Sequence, residues 1–247
     1  MSTIRTEMLS KQEPALYRKE GRVTLGRVTP GRVMDDATLG AIRDEEACLR
    51  GDPAGQLTNF RSQRAHDSEP IRRHVMTGPH VALASQIIGS DDTAIWFNQF
   101  ATKFPDAAAG KSEFPWHQDN GYVAIEPATH VTDWAALDDV EQRNARIWVM
   151  PRSCARGLLE HKTRSADLWH PTLDVHGGCV PATLKAGEAV AFSGLALHGS
   201  KLNHTDGPRC AFLMEYTDVQ WTYQRPGQER RPVPSQSKPW GVRGRAA

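Results

Sequence analysis

The chain contains no run of apolar residues approaching the roughly 20 that a membrane-spanning helix needs. Its opening, MSTIRTEMLSKQEPALYRKEG, lacks the apolar core of a secretory leader, so a soluble, cytoplasmic protein is expected. Charge of one sign is not in excess. Lys and Arg number 30 against 29 Asp and Glu, a formal net charge of +1. That balance excludes a general nucleic-acid binder. Cysteine is sparse and scattered: Cys48, Cys154, Cys179 and Cys210 form no CxxC pair. Neither a zinc knuckle nor a disulfide scaffold follows from that spacing, and four reduced, structural thiols are expected. There is no GxSxG elbow and no GxGxxG turn, which removes a serine hydrolase of that type and a dinucleotide enzyme.

What is present suits a globular fold. At 247 residues with 39% hydrophobic content, the chain can bury a sizeable core. No repeat or low-complexity linker divides it, so one domain over 1–247 is expected, with an N-terminal arm at 1–20 and a basic tail at 225–247. That tail carries Arg225, Arg230, Arg231, Lys238, Arg243 and Arg245 against Glu229 alone. It fits a solvated tail or strap, or a contact with an anionic partner. GRVTLGRV alternates as a strand, and Asp35-Asp36 open a helical stretch to Arg50. Further helices are predicted over about Ser68–Met76 and from Pro79 to a stop at Gly89. After Gly89 the pattern shortens to a period of two in TAIWFNQFATK, VTDWAAL, ARIWVM, VPATL, EAVAFSG and RCAFLMEYT. Helices first and short strands afterwards predict a mainly β fold, an antiparallel sandwich or barrel with flanking helices.

The segment FPWHQDNGY carries the chemistry. His117 and Asp119 are two apart, so extended backbone projects both to one side. A His nitrogen and a carboxylate oxygen supply two members of a 2-His-1-carboxylate facial triad, which leaves open positions on Fe(II). Alone the spacing is equally that of a surface His beside an acid. Downstream, LKAGEAVAFSGLALHGS ends an apolar strand on His198, a third candidate ligand or a satisfied structural histidine. Arg209 then opens the next strand, offering a planar fork suited to a carboxylate, with Ser200 able to add a hydroxyl.

The combination of WHQD, WxAL (Trp134–Leu137), DDV with Asn144, MPRS, GLLEH and the stretch from His198 to Arg209 resembles the phytanoyl-CoA dioxygenase family. The resemblance is densest over about 93–217. It implies a double-stranded β-helix (jelly-roll, cupin-like) core and an enzyme that uses Fe(II), 2-oxoglutarate and O2. It places the iron ligands on His117, Asp119 and His198, and the far carboxylate of 2-oxoglutarate on Arg209 and Ser200. Gln99 and Lys103 would contact the cosubstrate, although both also suit the solvent side of a half-buried strand. Phe114 would line the cosubstrate, and Trp134 is a pocket wall or a plain core residue. Trp116 and Tyr122 stay open between the same two readings. Relatives include hydroxylases of amino acids, phosphonate dioxygenases and natural-product tailoring enzymes. A small polar or anionic substrate, rather than a long acyl chain, is expected from the polar residues Arg61, Arg64, His66, His161 and His170. Halogenating relatives replace the carboxylate ligand, so Asp119 favours hydroxylation or another oxygen-dependent oxidation.

The chain departs from the family at one place. Relatives read N-G-x-L-x-V-x-P-G-S-H where Asn144–Cys154 stands here, so Ala145, Arg152 and Cys154 replace two glycines and a histidine. Arg146, Arg152 and Arg156 are candidates to line a reshaped substrate mouth, or are simply solvated. Specificity is expected from Thr58–Met76, Ile125–His130 and Gly157–His176, which contain Arg61, Arg64, His66, His161 and His170. Two rivals stand beside the dioxygenase: a jelly-roll binder without turnover, and a cupin-type metal hydrolase or isomerase.

Overall fold

The computed structural model describes residues 9, 12–25, 33–51, 60–62, 68–105, 113–127, 130–163, 171–172, 175, 177–225 and 227–232. In chain order its elements are α1 (Gln12–Glu20), β1 (Arg22–Leu25), α2 (Asp36–Gly51), β2 (Phe60–Ser62), α3 (Glu69–Thr77) and α4 (Pro79–Ile88). The strands continue with β3 (Thr93–Ala101), β4 (Phe114–His117), β5 (Ala124–Glu126), β6 (Val131–Ala136), β7 (Ile147–Val149), β8 (Lys162–Thr163) and β9 (Pro171–Thr172). They end with β10 (Val180–Pro181), β11 (Ala189–Ser193), β12 (His198–Ser200), β13 (Ala211–Asp218), β14 (Thr222–Gln224) and β15 (Arg231–Pro232).

Local chemistry accounts for the helices. Asp35 accepts the Thr38 amide at 2.6 Å ahead of α2. Ser68 caps α3 by accepting from the Ile71 amide. Pro79 begins α4, and Gly89 ends it in the left-handed conformation that glycine adopts without strain. Part of the predicted arm is helical. Residues 12–20 form α1, which buries Glu13, Pro14 and Tyr17 and so docks on the body of the protein. The Tyr17 hydroxyl donates to the His130 carbonyl, and the Arg152 amide donates to the Glu20 carbonyl. Part of the predicted tail is also ordered by pairing, because β15 lies against β14. Lys238, Arg243 and Arg245 lie outside the described residues.

Two antiparallel sheets form the sandwich. The larger runs β1-β11-β6-β13-β3-β2 and the smaller β10-β7-β12-β4. On the outer face of the larger sheet, Ile95, Phe100, Phe212, Met214 and Tyr216 pack with Ile42, Ile71, Val75 and Val81 of the helices. His80 of α4 bonds the Asp133 carboxylate of β6 at 2.6 Å, and Tyr216 donates to the Val75 carbonyl. Between the sheets, Trp134, Val190 and Phe192 meet Ile147, Val149 and Leu184. Residues 101, 136 and 211 of that layer are all alanine, which keeps side-chain volume low inside the sandwich. The jelly-roll expectation is met by this arrangement, with α1–α4 outside it. Among the described residues no helix is long and apolar enough to cross a membrane. None of the four cysteines is disulfide-bonded, and only Cys210 is buried.

Candidate metal and cosubstrate site

Both sheets contribute to the site. β4 ends at His117, Gln118 is extended (φ −116°, ψ 140°), and Asp119 opens a short 3-10 turn rather than continuing the strand. One extended residue between them is enough to bring His117 and Asp119 together. His198 of β12 lies directly opposite His117 in the register. His117 Nε2 and His198 Nε2 stand 3.5 and 3.4 Å from Asp119 Oδ1. Ligand atoms about 2 Å from one ion lie about 3 Å apart when they subtend a right angle, so these three could hold a metal with little movement.

Backbone carbonyls set the tautomers. His117 Nδ1–H donates to the Pro115 carbonyl at 2.8 Å, and His198 Nδ1–H donates to the Ala196 carbonyl at 3.0 Å. Each Nε2 lone pair is thereby left facing Asp119, the state a metal ligand needs. Burial, then the neighbouring His198, brings His117 down to about 4. Burial alone would raise Asp119, but His198 and His117 hold it well below the usual carboxylate range. Burial would lower His198, yet the Asp119 charge and hydrogen bond raise it. Thr132 of β6 donates to Asp119 Oδ2 at 2.6 Å, fixing the carboxylate from across the sandwich.

Arg209 is buried at 2% exposure. Its Nε donates to the Asn144 carbonyl, one terminal nitrogen to Ala101 and the other to Ala145. Five N–H groups less three leaves two, one on each terminal nitrogen. Its guanidinium lies 5.0 Å from the Trp134 ring, and burial lowers its pKa to about 10. Among the described residues no carboxylate pairs with it. The other predicted residues gather nearby. Gln99 lies opposite Leu213, which lies opposite Trp134, so the three share the inward face. Lys103 is buried, bridges to Arg209 through the backbone and has Nζ 6.0 Å from the Phe114 ring. Phe114 meets the His117 ring edge-on at 4.5 Å. Ser200 lies opposite Phe114 and Ile147, on the side of β12 that carries His198. Tyr122 also meets His117 edge-on at 5.5 Å, whereas no side-chain contact ties Trp116 to the triad.

Two of the three arginines that were candidates for a mouth, or for solvent, are otherwise engaged. Arg152 pairs with Glu20 at 3.0 Å, and Arg146 stacks over Trp148 at 4.5 Å, on the outer side of β7. Arg156 is exposed. Arg64, His66 and His170 lie outside the described residues, as does the Arg61 side chain. His161 accepts from the Gln118 amide and donates to the Leu159 carbonyl, so both its nitrogens are committed to structure. Gln118 is a site residue that no spacing in the sequence singles out. It is fully buried, donates to Gly157 and Leu195, and accepts from the Leu159 amide, tying the 157–161 loop to the ligand strand. Thr132 and Phe192, whose ring lies 4.5 Å from His198, were also missed, although two-residue alternation from Trp134 and Val190 reaches both.

Comparison with known proteins agrees with this geometry. The family model for phytanoyl-CoA dioxygenase (PhyH) matches residues 9–211. The mouse phytanoyl-CoA dioxygenase domain-containing protein 1 is 25% identical over 191 residues, covering 74% of this chain and 65% of the mouse protein. The L-proline trans-4-hydroxylase of Streptomyces griseoviridis is 28% identical over 186 residues, covering 65% of this chain and 68% of that enzyme. The chain thus spans about two thirds of the length of these relatives. Among solved structures, the epimerase SnoN in complex with Fe3+, alpha ketoglutarate and nogalamycin RO superposes with a TM-score of 0.72 at 22% identity, covering 88% of this chain and 87% of SnoN. EvdO2 from Micromonospora carbonacea var. aurantiaca, complexed with 2-oxoglutarate, gives 0.72 at 17% identity, covering 97% and 99%. With its jelly-roll core and inward-facing His-Asp-His set, the chain belongs to the phytanoyl-CoA dioxygenase (PhyH) family.

Proposed function

We propose that the chain is an Fe(II)- and 2-oxoglutarate-dependent dioxygenase that hydroxylates, or otherwise oxidises, a small polar molecule such as an amino acid, a phosphonate or a natural-product intermediate. The observation that carries the reading is a triad of two buried histidines, both in the ligand tautomer, and the partly buried Asp119, inside a sandwich whose buried Arg209 has no carboxylate partner among the described residues. A buried cation bonded only to neutral carbonyls calls for an anion, and a dicarboxylic cosubstrate provides one. His117, Asp119 and His198 would hold Fe(II). Arg209 and Ser200 would fix the far carboxylate of 2-oxoglutarate, with Gln99, Lys103 and Phe114 along its length. Trp134 would keep the Arg209 plane in place by stacking. Bound Fe(II) supplies the chemistry that couples 2-oxoglutarate and O2 to substrate oxidation, with succinate and carbon dioxide as coproducts. The protein's part is to orient the target bond and keep bulk water out. The four cysteines form no disulfide, which supports a reducing, cytoplasmic setting.

Anaerobic titration with Fe(II) and 2-oxoglutarate tests this directly. A visible metal-to-ligand charge-transfer band is expected, and Arg209→Gln should shift its half-saturation to higher 2-oxoglutarate. Succinate release across a panel of amino acids, phosphonates and small natural-product intermediates then identifies the substrate. A wild-type protein that gives no band favours a binding protein without turnover. Oxygen-independent turnover insensitive to Arg209→Gln favours a metal hydrolase or isomerase.

A further inference from the structure

One ionisable pair beside the triad has no part in holding metal or cosubstrate. Glu215 of β13 lies opposite Phe97 on one side and Thr132 on the other, and Thr132 lies opposite Phe192. Residues directly opposite in antiparallel strands share a face. Thr132 bonds Asp119 and Phe192 packs on His198, so this row faces the metal ligands and Glu215 is its one acid. Alternation along β13 gives the same answer. Positions 209, 211, 213 and 215 point inward, with Arg209 at one end and Glu215 at the other.

The protein offers Glu215 little compensation. Among the described residues the one ion-pair neighbour it has is His130, whose Nε2 lies 3.9 Å away, beyond hydrogen-bond reach. Neither ring nitrogen of the fully buried His130 has a hydrogen-bond partner among the described residues. The ring is held from behind, because Gly194 leaves it room that any Cβ would occupy, 1.7 Å from Cε1. Its carbonyl accepts from Tyr17 and from the Gly194 amide. Burial lowers His130 to about 4, so the imidazole supplies no positive charge at neutral pH. The Glu215 side chain nevertheless keeps 12% exposure on an inward-facing position, open to what enters the sandwich.

We propose that Glu215, backed by His130, recognises the primary substrate through an ammonium or similar cationic donor on that substrate. A cation there supplies the charge that the protein withholds, and its distance from the triad would decide which bond is oxidised. Of the three candidates for an anionic substrate, Arg146 and Arg152 are turned to Trp148 and Glu20 instead, and Arg156 is exposed. The inference rests on the dioxygenase reading, because it takes the space between the sheets as the substrate chamber.

The test compares three probes of one frame and different charge: cyclohexylammonium, cyclohexanol and cyclohexanecarboxylate. Binding to the full chain, loaded anaerobically with Fe(II) and 2-oxoglutarate, is measured by calorimetry at neutral pH. The ammonium is expected to bind about tenfold more tightly than either other probe, the range of a charge-assisted hydrogen bond. Glu215→Gln and Glu215→Leu should abolish that preference while keeping the charge-transfer band and the thermal midpoint. A preference for the alcohol or the carboxylate, no measurable ammonium binding, or a preference unchanged in both variants overturns the proposal. Loss of the band in the wild-type protein instead strikes at the dioxygenase reading.

Discussion

The Thr132 hydroxyl donates to Asp119 Oδ2 at 2.6 Å, linking β6 of the larger sheet to the carboxylate that completes the triad on the smaller one. The bond leaves Asp119 Oδ1 for the two imidazole nitrogens. Thr132→Val keeps the shape and removes only the donor. Partners of this kind affect metal affinity by roughly 10- to 100-fold, so Fe(II) dissociation measured by competition with a chelator should rise within that range. Thr132→Ser should restore most of it. Unchanged affinity in the valine variant would show that the strand geometry alone positions Asp119.

His198→Ala removes one Nε2 and leaves the other two candidate ligands in place. The variant should lose stoichiometric Fe(II) by metal analysis, and succinate formation should fall to background. His117→Ala should behave alike, because its Nδ1 is locked to Pro115 as that of His198 is to Ala196. Full succinate release from the His198 variant would remove this residue from the ligand set.

Gln118 spends all three of its side-chain bonds on structure, to Gly157, Leu195 and Leu159. Gln118→Leu has similar volume but strands two buried carbonyls and one amide. A cost of about 3 kcal/mol in unfolding free energy is expected, since each lost partner in a buried bond costs about 1–3 kcal/mol and part is recovered by relaxation. Urea unfolding followed by fluorescence measures it.

Acid should weaken the fold through histidines that serve no metal. Burial, then the neighbouring His80, keeps His74 well below 6.5, and burial keeps His130 at about 4. The folded state thus binds fewer protons than the unfolded chain at these sites. Their contribution is complete above about pH 6.5 and is lost as pH falls toward the folded values, at about 1.4 kcal/mol per pH unit for each group. His74→Phe should reduce the slope of stability against pH between pH 6.5 and 5, measured by urea midpoints. An unchanged slope would place the acid sensitivity elsewhere.

Much of this was legible in the residues. Two-residue alternation marks β3, β6, β11 and β13, and cap chemistry marks α2, α3 and α4, because each signal is local. The helix α1 was not legible as a docked element. Its polar composition hides the few buried side chains, and Tyr17 is recognisable only once His130 lies beside it. The triad was visible as His-x-Asp with a distant His, whereas the carbonyl cradle of Arg209 draws on residues 101, 144 and 145 and exists only in three dimensions. Glu215 sat in plain view, six residues beyond Arg209 and in phase with it. Its role depends on what faces it, which alternation alone does not give.

The two replaced glycines lead to a last prediction. Ala145 and Arg152, standing where relatives carry glycine, keep the left-handed backbone, at φ 65° and 60°. The turn survives and the residues bear its steric cost, about 1–2 kcal/mol for a side chain in that region. Glycine relieves the cost but loses more backbone entropy on folding, which leaves a net gain of about 0.5–1 kcal/mol. At Arg152 the gain is masked by loss of the exposed pair with Glu20. Arg152→Gly should therefore be close to neutral in the wild-type background and stabilising in a Glu20→Gln background, by chemical denaturation. At Ala145 the buried methyl contributes packing that offsets the relief, so Ala145→Gly should change stability little. If Arg152→Gly destabilises the Glu20→Gln protein, the left-handed turn at this position carries no strain for relief.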